Sequence, residues 1–366
     1  MLYTNTMKLP RMSFIQSDED NNIFKCKLNY CKDNVNKIQN DVSRPSADVF
    51  MTFYPIAKNI RVCSSYMTLN ILNGRKSKLS LDARPGESDF WRNNFKEGHW
   101  FPWLWARGRI DGSYTNQQGW NYYFDSFRDD DIVQLDVTGE LTRPSDDDMT
   151  FFTHLASLLY SFNLNDSYNI MIKKYEDEMK WPENRGVLAI HIRRGDIVPT
   201  GKLMSIAGRP FYCVEKYLEC ADKLLENDSS LEYVFVATDS DEEINLVRSL
   251  RPTWKLLYVP IDRSNFYRLD HPSLHIHNDP NPIFLDQACS NQPHRIPFTV
   301  DSALADLYFI GKSNAFVGAN LKTAEFTRAG LLLQFAMNER MTAYADTNDS
   351  EEYYDTNDPK AHFILT

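Results

Sequence analysis

The densest chemistry in the chain is the run His191-Ile192-Arg193-Arg194-Gly195-Asp196. An arginine presents a planar fork of N–H donors that grips a phosphate or a carboxylate at two points. The same fork stabilises the negative charge that grows on a departing diphosphate. Gly195 lets the backbone turn sharply or approach a ligand closely. The bland alternative is that Arg193 and Arg194 make structural ion pairs with acids such as Asp196. Asp239-Ser240-Asp241 is a second constellation. Two carboxylates so spaced can hold a hard divalent cation through oxygen. Ser240 and Glu243 also have capping-box spacing, so the same spot reads as a helix start. His271, His275 and His277 fall in a Pro/Asn-rich stretch, where a metal cluster is the less economical reading.

The run 187–192 before the arginines is almost wholly apolar, broken only by His191. That is the pattern of a strand buried on both faces of a parallel sheet. Further strands are predicted over 233–237, 255–259 and 315–318. Helices are predicted over 210–226, from Ser240 onward, over 301–311 and over 324–337. Alternating strand and helix across 150 residues implies βα units wound on both sides of one sheet. Ligands of such sheets bind beyond the carboxyl ends of the strands, where the arginine run falls. Upstream, helices are expected over 63–72 (stopped by Asn73-Gly74), 150–162 and 167–180, with short strands over 78–81 and 132–137. Residues 1–45 are polar and expected to be partly ordered at best. Residues 346–366 read as an acidic tail.

With these elements placed, H-x-R-R-x-D after a hydrophobic strand resembles the donor motif of α1,6-fucosyltransferases, bacterial chitooligosaccharide fucosyltransferases and protein O-fucosyltransferases. Residues 151–160 and 168–181 are similar to the helix pair that precedes it in the α1,6 enzymes. Residues 234–239, ending Ala237-Thr238-Asp239, resemble their second strand, and residues 306–318 resemble a third motif. The resemblance spans about residues 60–340 and is strong from 150.

It implies a GT-B-like α/β fold, two Rossmann-like halves facing a cleft, the C-terminal half a doubly wound parallel sheet. Residues 46–185 would form the acceptor side and 186–345 the nucleotide-sugar domain. The implied donor is GDP-fucose and the acceptor a glycan or glycoprotein, with no metal and no further cofactor. By the same resemblance His191 and Asp306 contact guanine, Arg193 binds the β-phosphate, Asp239 lies beside the nucleotide and Thr323 lies near the phosphates. Arg194 is then a structural partner of a carboxylate. A carboxylate at 306 suits two N–H donors of a guanine edge. Inverting transfer needs a base for the acceptor hydroxyl; Asp196 is the candidate, or else an orienter of the arginines.

The chain departs from the pattern in places. Ala324 and Glu325 stand where the α1,6 enzymes have Ser-Gln, and a glutamate facing a diphosphate repels it unless it points away. Residues 53–59 lack the expected glycines, and Ile197 and Gly201 replace a lysine and a glutamate. Two other readings therefore stay open: a non-catalytic sugar- or nucleotide-binding relative, and a metal-dependent transferase using Asp239 and Asp241.

Net charge is -10, which argues against a nucleic-acid partner. No run of 18 apolar residues spans a membrane, and the first thirty residues lack a signal-peptide apolar core. The compartment is thus cytoplasmic, or the Golgi or ER lumen if an anchor or signal belongs to a longer parent. Cys26, Cys31, Cys63, Cys213, Cys220 and Cys289 contain no C-x-x-C pair, although Cys26 and Cys31 are spaced for a local disulfide. Trp91, Trp100, Trp103, Trp105 and Trp120 offer either packing mass or a platform for sugar rings.

Overall fold

The computed structural model describes residues 5–8, 18–41, 43–50, 56–80, 123–125, 147–194, 212–263, 296–319, 321, 324–347 and 362–365. In chain order these form β1 (Asn5–Lys8), α1 (Asp18–Asn40), β2 (Ser46–Phe50), α2 (Ile56–Leu72), β3 (Lys76–Ser80), α3 (Asp147–Ser161) and α4 (Asp166–Met179). There follow β4 (Gly186–Ile192), α5 (Val214–Asn227), β5 (Leu231–Thr238), α6 (Asp241–Leu250), β6 (Lys255–Leu257), α7 (Ile296–Lys312), β7 (Ala315–Gly318), α8 (Glu325–Asn338), β8 (Ala343–Asp346) and β9 (His362–Leu365).

The fold is mixed α/β. Its centre is a five-stranded, all-parallel sheet of order β6-β5-β4-β7-β8. Both faces are covered, which is why β4 is apolar on both sides. Leu188, Ile190 and Ile192 pack with Val234 and Val236 against α5 and α6. Val187 and Ala189 pack with Phe235 and Ala237 against α7 and α8. Gly186 opens β4 where a Cβ would meet the Ser230 carbonyl oxygen at 2.6 Å, a gap only glycine fits. From β4 the chain steps outward through β5 to β6, then returns and builds β7 and β8 on the other side. The winding therefore reverses between β4 and β7.

The second-face helices carry a further layer, in which α3 packs on α8, α2 and α1. Beyond α2 lies the parallel pair β2–β3, and β1 pairs antiparallel with β9. Among the described residues the upstream half thus shows two paired parallel strands, not a full second sheet. Local signals explain the helix ends. The side chain of Asn165 accepts the Tyr168 N–H at 2.9 Å and starts α4. Gly74, at φ +67°, ends the turn after α2.

Three expectations need correction and one open alternative, the Cys26–Cys31 pair, is decided. The polar stretch 1–45 carries α1, whose Phe24, Leu28, Cys31, Val35 and Ile38 recur at helical spacing and are buried. Cys26 and Cys31 are free thiols; Cys31 is buried and accepts from Thr153 at 3.7 Å. The acidic tail was expected to begin as loop at Asp346, yet Asp346 is the buried last residue of β8. Helix α6 starts after Ser240 as expected, but the Ser240 side chain makes no cap bond and Glu243 reaches elsewhere. The predicted strand 132–137, Trp91 to Trp120, His271 to His277 and Cys289 lie outside the described residues.

Candidate functional site

A doubly wound sheet opens a crevice beyond its carboxyl edge where the winding reverses. Here that point lies between β4 and β7. Flanking it among the described residues are Arg193 and Arg194 after Ile192, and Ala319, Leu321 and Ala324 ahead of α8.

The two arginines diverge. Arg194 turns to the α5–α6 face, where its Nε donates to Glu243 Oε1 at 2.5 Å. Its backbone N–H donates to Asp239 Oδ1 at 2.7 Å, so Asp239 ties the end of β5 to the turn after β4. Arg193 is half-buried and close enough to His191 for its charge to act on that ring. The His191 ring stacks on Phe326 of α8, with centroids 4.3 Å apart and planes at 25°. Burial, and secondarily the Arg193 charge, lower its pKa to about 3, so it stays neutral at physiological pH. The stack brings the first turn of α8 against the end of β4.

Asp306 projects from α7 toward the end of β5. It is 4% exposed, and its Oδ1 has no hydrogen-bond partner. Burial is the main reason its pKa rises to about 8. The charge of Arg263 opposes the rise, that of Asp239 adds to it, and a backbone hydrogen bond from Thr238 opposes it. In register Thr238 pairs with Ile192, so Asp306 sits level with the arginine run. A buried carboxylate oxygen left unsatisfied in a folded protein is costly unless a ligand supplies donors.

No family model matches the sequence, and no curated protein matches it. Solved structures do match. The fucosyltransferase NodZ from Bradyrhizobium aligns at 14% identity over 84% of this chain and 97% of its own, with a TM-score of 0.42. A NodZ alpha-1,6-fucosyltransferase crystal soaked with GDP-fucose aligns at 15% identity over 79% and 92%, TM-score 0.40. A point mutant of Arabidopsis thaliana FUT1, in complex with GDP, aligns at 9% identity over 92% and 80%, TM-score 0.39. The structural neighbours are fucosyltransferases.

Of the site residues expected from sequence, His191, Arg193, Asp239 and Asp306 gather at the carboxyl edge of β4 and β5. Asp196 and Thr323 lie outside the described residues. Leu321, ahead of α8, is held through both its backbone groups. Leu321 N–H donates to Asp346 Oδ2 at 2.7 Å, Tyr344 Oη donates to the same oxygen at 3.0 Å, and Arg328 Nε donates to the Leu321 carbonyl at 3.2 Å. Gly318 permits the close approach of α8, since a Cβ there would meet Thr327 Cγ2 at 2.4 Å. Ala324, the N-cap residue of α8, makes no side-chain cap bond, and the N–H groups and dipole at this helix start favour an anion. The Glu325 carboxylate turns to Arg61 of α2, at 2.6 and 3.2 Å.

Besides Arg61, two contributors escaped the sequence. Arg263, 2% exposed, donates to the carbonyls of Thr238 (2.9 Å), Val259 (3.1 Å) and Ile261 (3.3 Å) and to Asp241 Oδ1 (3.3 Å). It fixes the end of β5 beneath Asp306, but no motif surrounds it. Asp346 was hidden by the acidic run that follows it. Asp239 and Asp241, the expected alternative metal pair, each serve another donor: the Arg194 amide and the Arg263 guanidinium.

Proposed function

We propose that this chain is an inverting, metal-independent glycosyltransferase that binds a guanosine-diphosphate sugar across the β4–β7 reversal. The observation that carries this reading is Asp306, a buried carboxylate with an unsatisfied oxygen level with the arginine run. The N1–H and N2–H of guanine would satisfy it, and uracil has no matching pair of donors. His191, neutral and stacked, offers one donor and one acceptor beside the base. Arg193 and the α8 N-terminus would face the diphosphate. Fucose as the sugar follows from the motif resemblance.

In transfer, an acceptor hydroxyl oxygen bonds to the anomeric carbon as the carbon–phosphate-oxygen bond breaks. The hydroxyl proton goes to a base, for which Asp196 is the candidate. The electron pair leaves on the β-phosphate, where Arg193 neutralises it. The engagement of Asp239 and Asp241 by arginine donors supports a mechanism without a cation between them.

Calorimetric titration with GDP, GDP-fucose, GDP-mannose and UDP-sugars, with and without chelator, tests the reading. Tight binding of the guanosine ligands irrespective of chelator is expected. Preference for a UDP-sugar, or binding only with Mn²⁺, contradicts it. Arg193→Ala is expected to lower transfer by at least about a hundredfold. Wild-type protein that binds GDP-fucose but releases no GDP with any acceptor or water would favour the non-catalytic alternative.

A further inference from the structure

Glu325 occupies the first turn of α8, at the end of the helix that faces the reversal point. A carboxylate there is drawn to the helix's own N-terminal N–H groups. It would then occupy the ground a phosphate needs and repel it. Instead, both its oxygens are held by the Arg61 fork, through Nε at 2.6 Å and Nη2 at 3.2 Å. Arg328, one turn along α8, stands 3.9 Å from Glu325 Oε1 on the same side. Arg61 is 1% exposed and Arg328 2%, so both guanidinium groups are set in the packing between α2 and α8. This is a fixed geometry, not a solvated surface pair. His154 of α3, close enough to feel the Arg61 charge, is held neutral chiefly by burial and adds no charge of its own.

We propose that Arg61 is a positioning residue for the donor diphosphate: it holds the Glu325 carboxylate against α2, so the uncapped start of α8 stays open to an anion. This rests on the nucleotide reading above and extends it to a residue of the upstream half. It also explains how a glutamate is tolerated beside a diphosphate. Coordinated by two arginines, its charge is neutralised locally and aimed away from the amides.

The test is GDP affinity, measured by calorimetry at low and high salt, for wild type, Arg61→Gln, Glu325→Gln and the double variant. Arg61→Gln releases a charge near the phosphates and is expected to weaken GDP roughly tenfold at low salt, less at high salt because the repulsion is screened. Glu325→Gln is expected to bind GDP more tightly than wild type. The double variant is expected to return to within about threefold of wild type, since the repelling charge is gone. A merely structural pair would alter melting temperature but leave GDP affinity unchanged in all three variants, and that result overturns the proposal. So does a double variant no better than Arg61→Gln. Should Arg61→Gln fail to fold, Glu325→Gln decides by itself: unchanged or weaker GDP binding sinks the idea. Wild type that binds no GDP brings down the nucleotide reading and this inference together. Wild type that binds while the variants match it brings down this inference alone.

Discussion

At the residue scale, the chemistry turns on how burial sets charge. Asp306 is buried with one oxygen unsatisfied, and its pKa lies near 8. Its folded pKa is above the ordinary carboxylate value, so the native state holds an extra proton between about pH 4 and pH 8. Stability of the ligand-free protein therefore falls as pH rises through that window. Asp306→Asn removes the penalty and is expected to raise stability at pH 7 by on the order of 2 kcal/mol, read by denaturant unfolding. Guanine binding requires the carboxylate, so it expels the proton. GDP affinity should then rise from pH 6 to pH 8 in wild type. In Asp306→Asn it should be weaker and nearly flat over the same range. Calorimetry in buffers of different ionisation enthalpy reads the released proton directly. A flat wild-type profile would mean that residue 306 does not meet the base.

At the element scale, the site depends on short connections held by side chains that are not themselves reactive. Asp346 ends β8 and accepts both the Leu321 amide and the Tyr344 hydroxyl. Asp346→Ala removes the acceptor shared by both donors, at a cost of about 1–3 kcal/mol. It should also release the Leu321 backbone ahead of α8. The expected outcome is GDP affinity lowered several-fold, about 3- to 10-fold, with faster proteolysis near Leu321 and little change in far-UV circular dichroism. The elements themselves were largely legible. Strands β4, β5, β6 and β7 announced themselves as short apolar runs, and α5 by its periodicity. What failed was judging by composition. Helix α1 is polar on average, yet its buried apolar residues fall every three or four positions. Strand β8 is four residues long and merges into an acidic run. The site divided along similar lines. His191, Arg193 and Asp239 could be picked out because they sit in motifs at strand ends, and Asp306 because it opens the third motif, within α7. Arg61 and Arg263 could not, because Glu325 lies 264 residues from Arg61, and Thr238 and Asp241 lie 25 and 22 residues from Arg263. A single sequence does not show such pairings.

At the scale of the whole molecule, the strand that carries the site and the helix nearest the start of the chain share one apolar core. Phe24 and Leu28 of α1, Phe152 of α3, Leu333 of α8 and Ala189 of β4 belong to a single buried cluster. Phe24 meets Phe152 edge-on at a centroid distance of 5.0 Å. Helix α1 therefore covers α3, α3 supports α8, and α8 carries both Phe326, which stacks on His191, and Glu325, which Arg61 holds. Leu28→Ala is expected to cost about 2–5 kcal/mol, the range for emptying a buried leucine site. A chain beginning at residue 42 loses the whole apolar stripe and uncovers the α3 face. It should show a much lower melting temperature and bind a hydrophobic dye, and its GDP affinity should fall as its folded fraction does. An α1 that were merely appended would instead come away with GDP affinity and melting temperature intact. The buried contacts argue against that outcome, because exposing Phe152 and its neighbours to water removes the layer on which the carboxyl edge of the sheet is built.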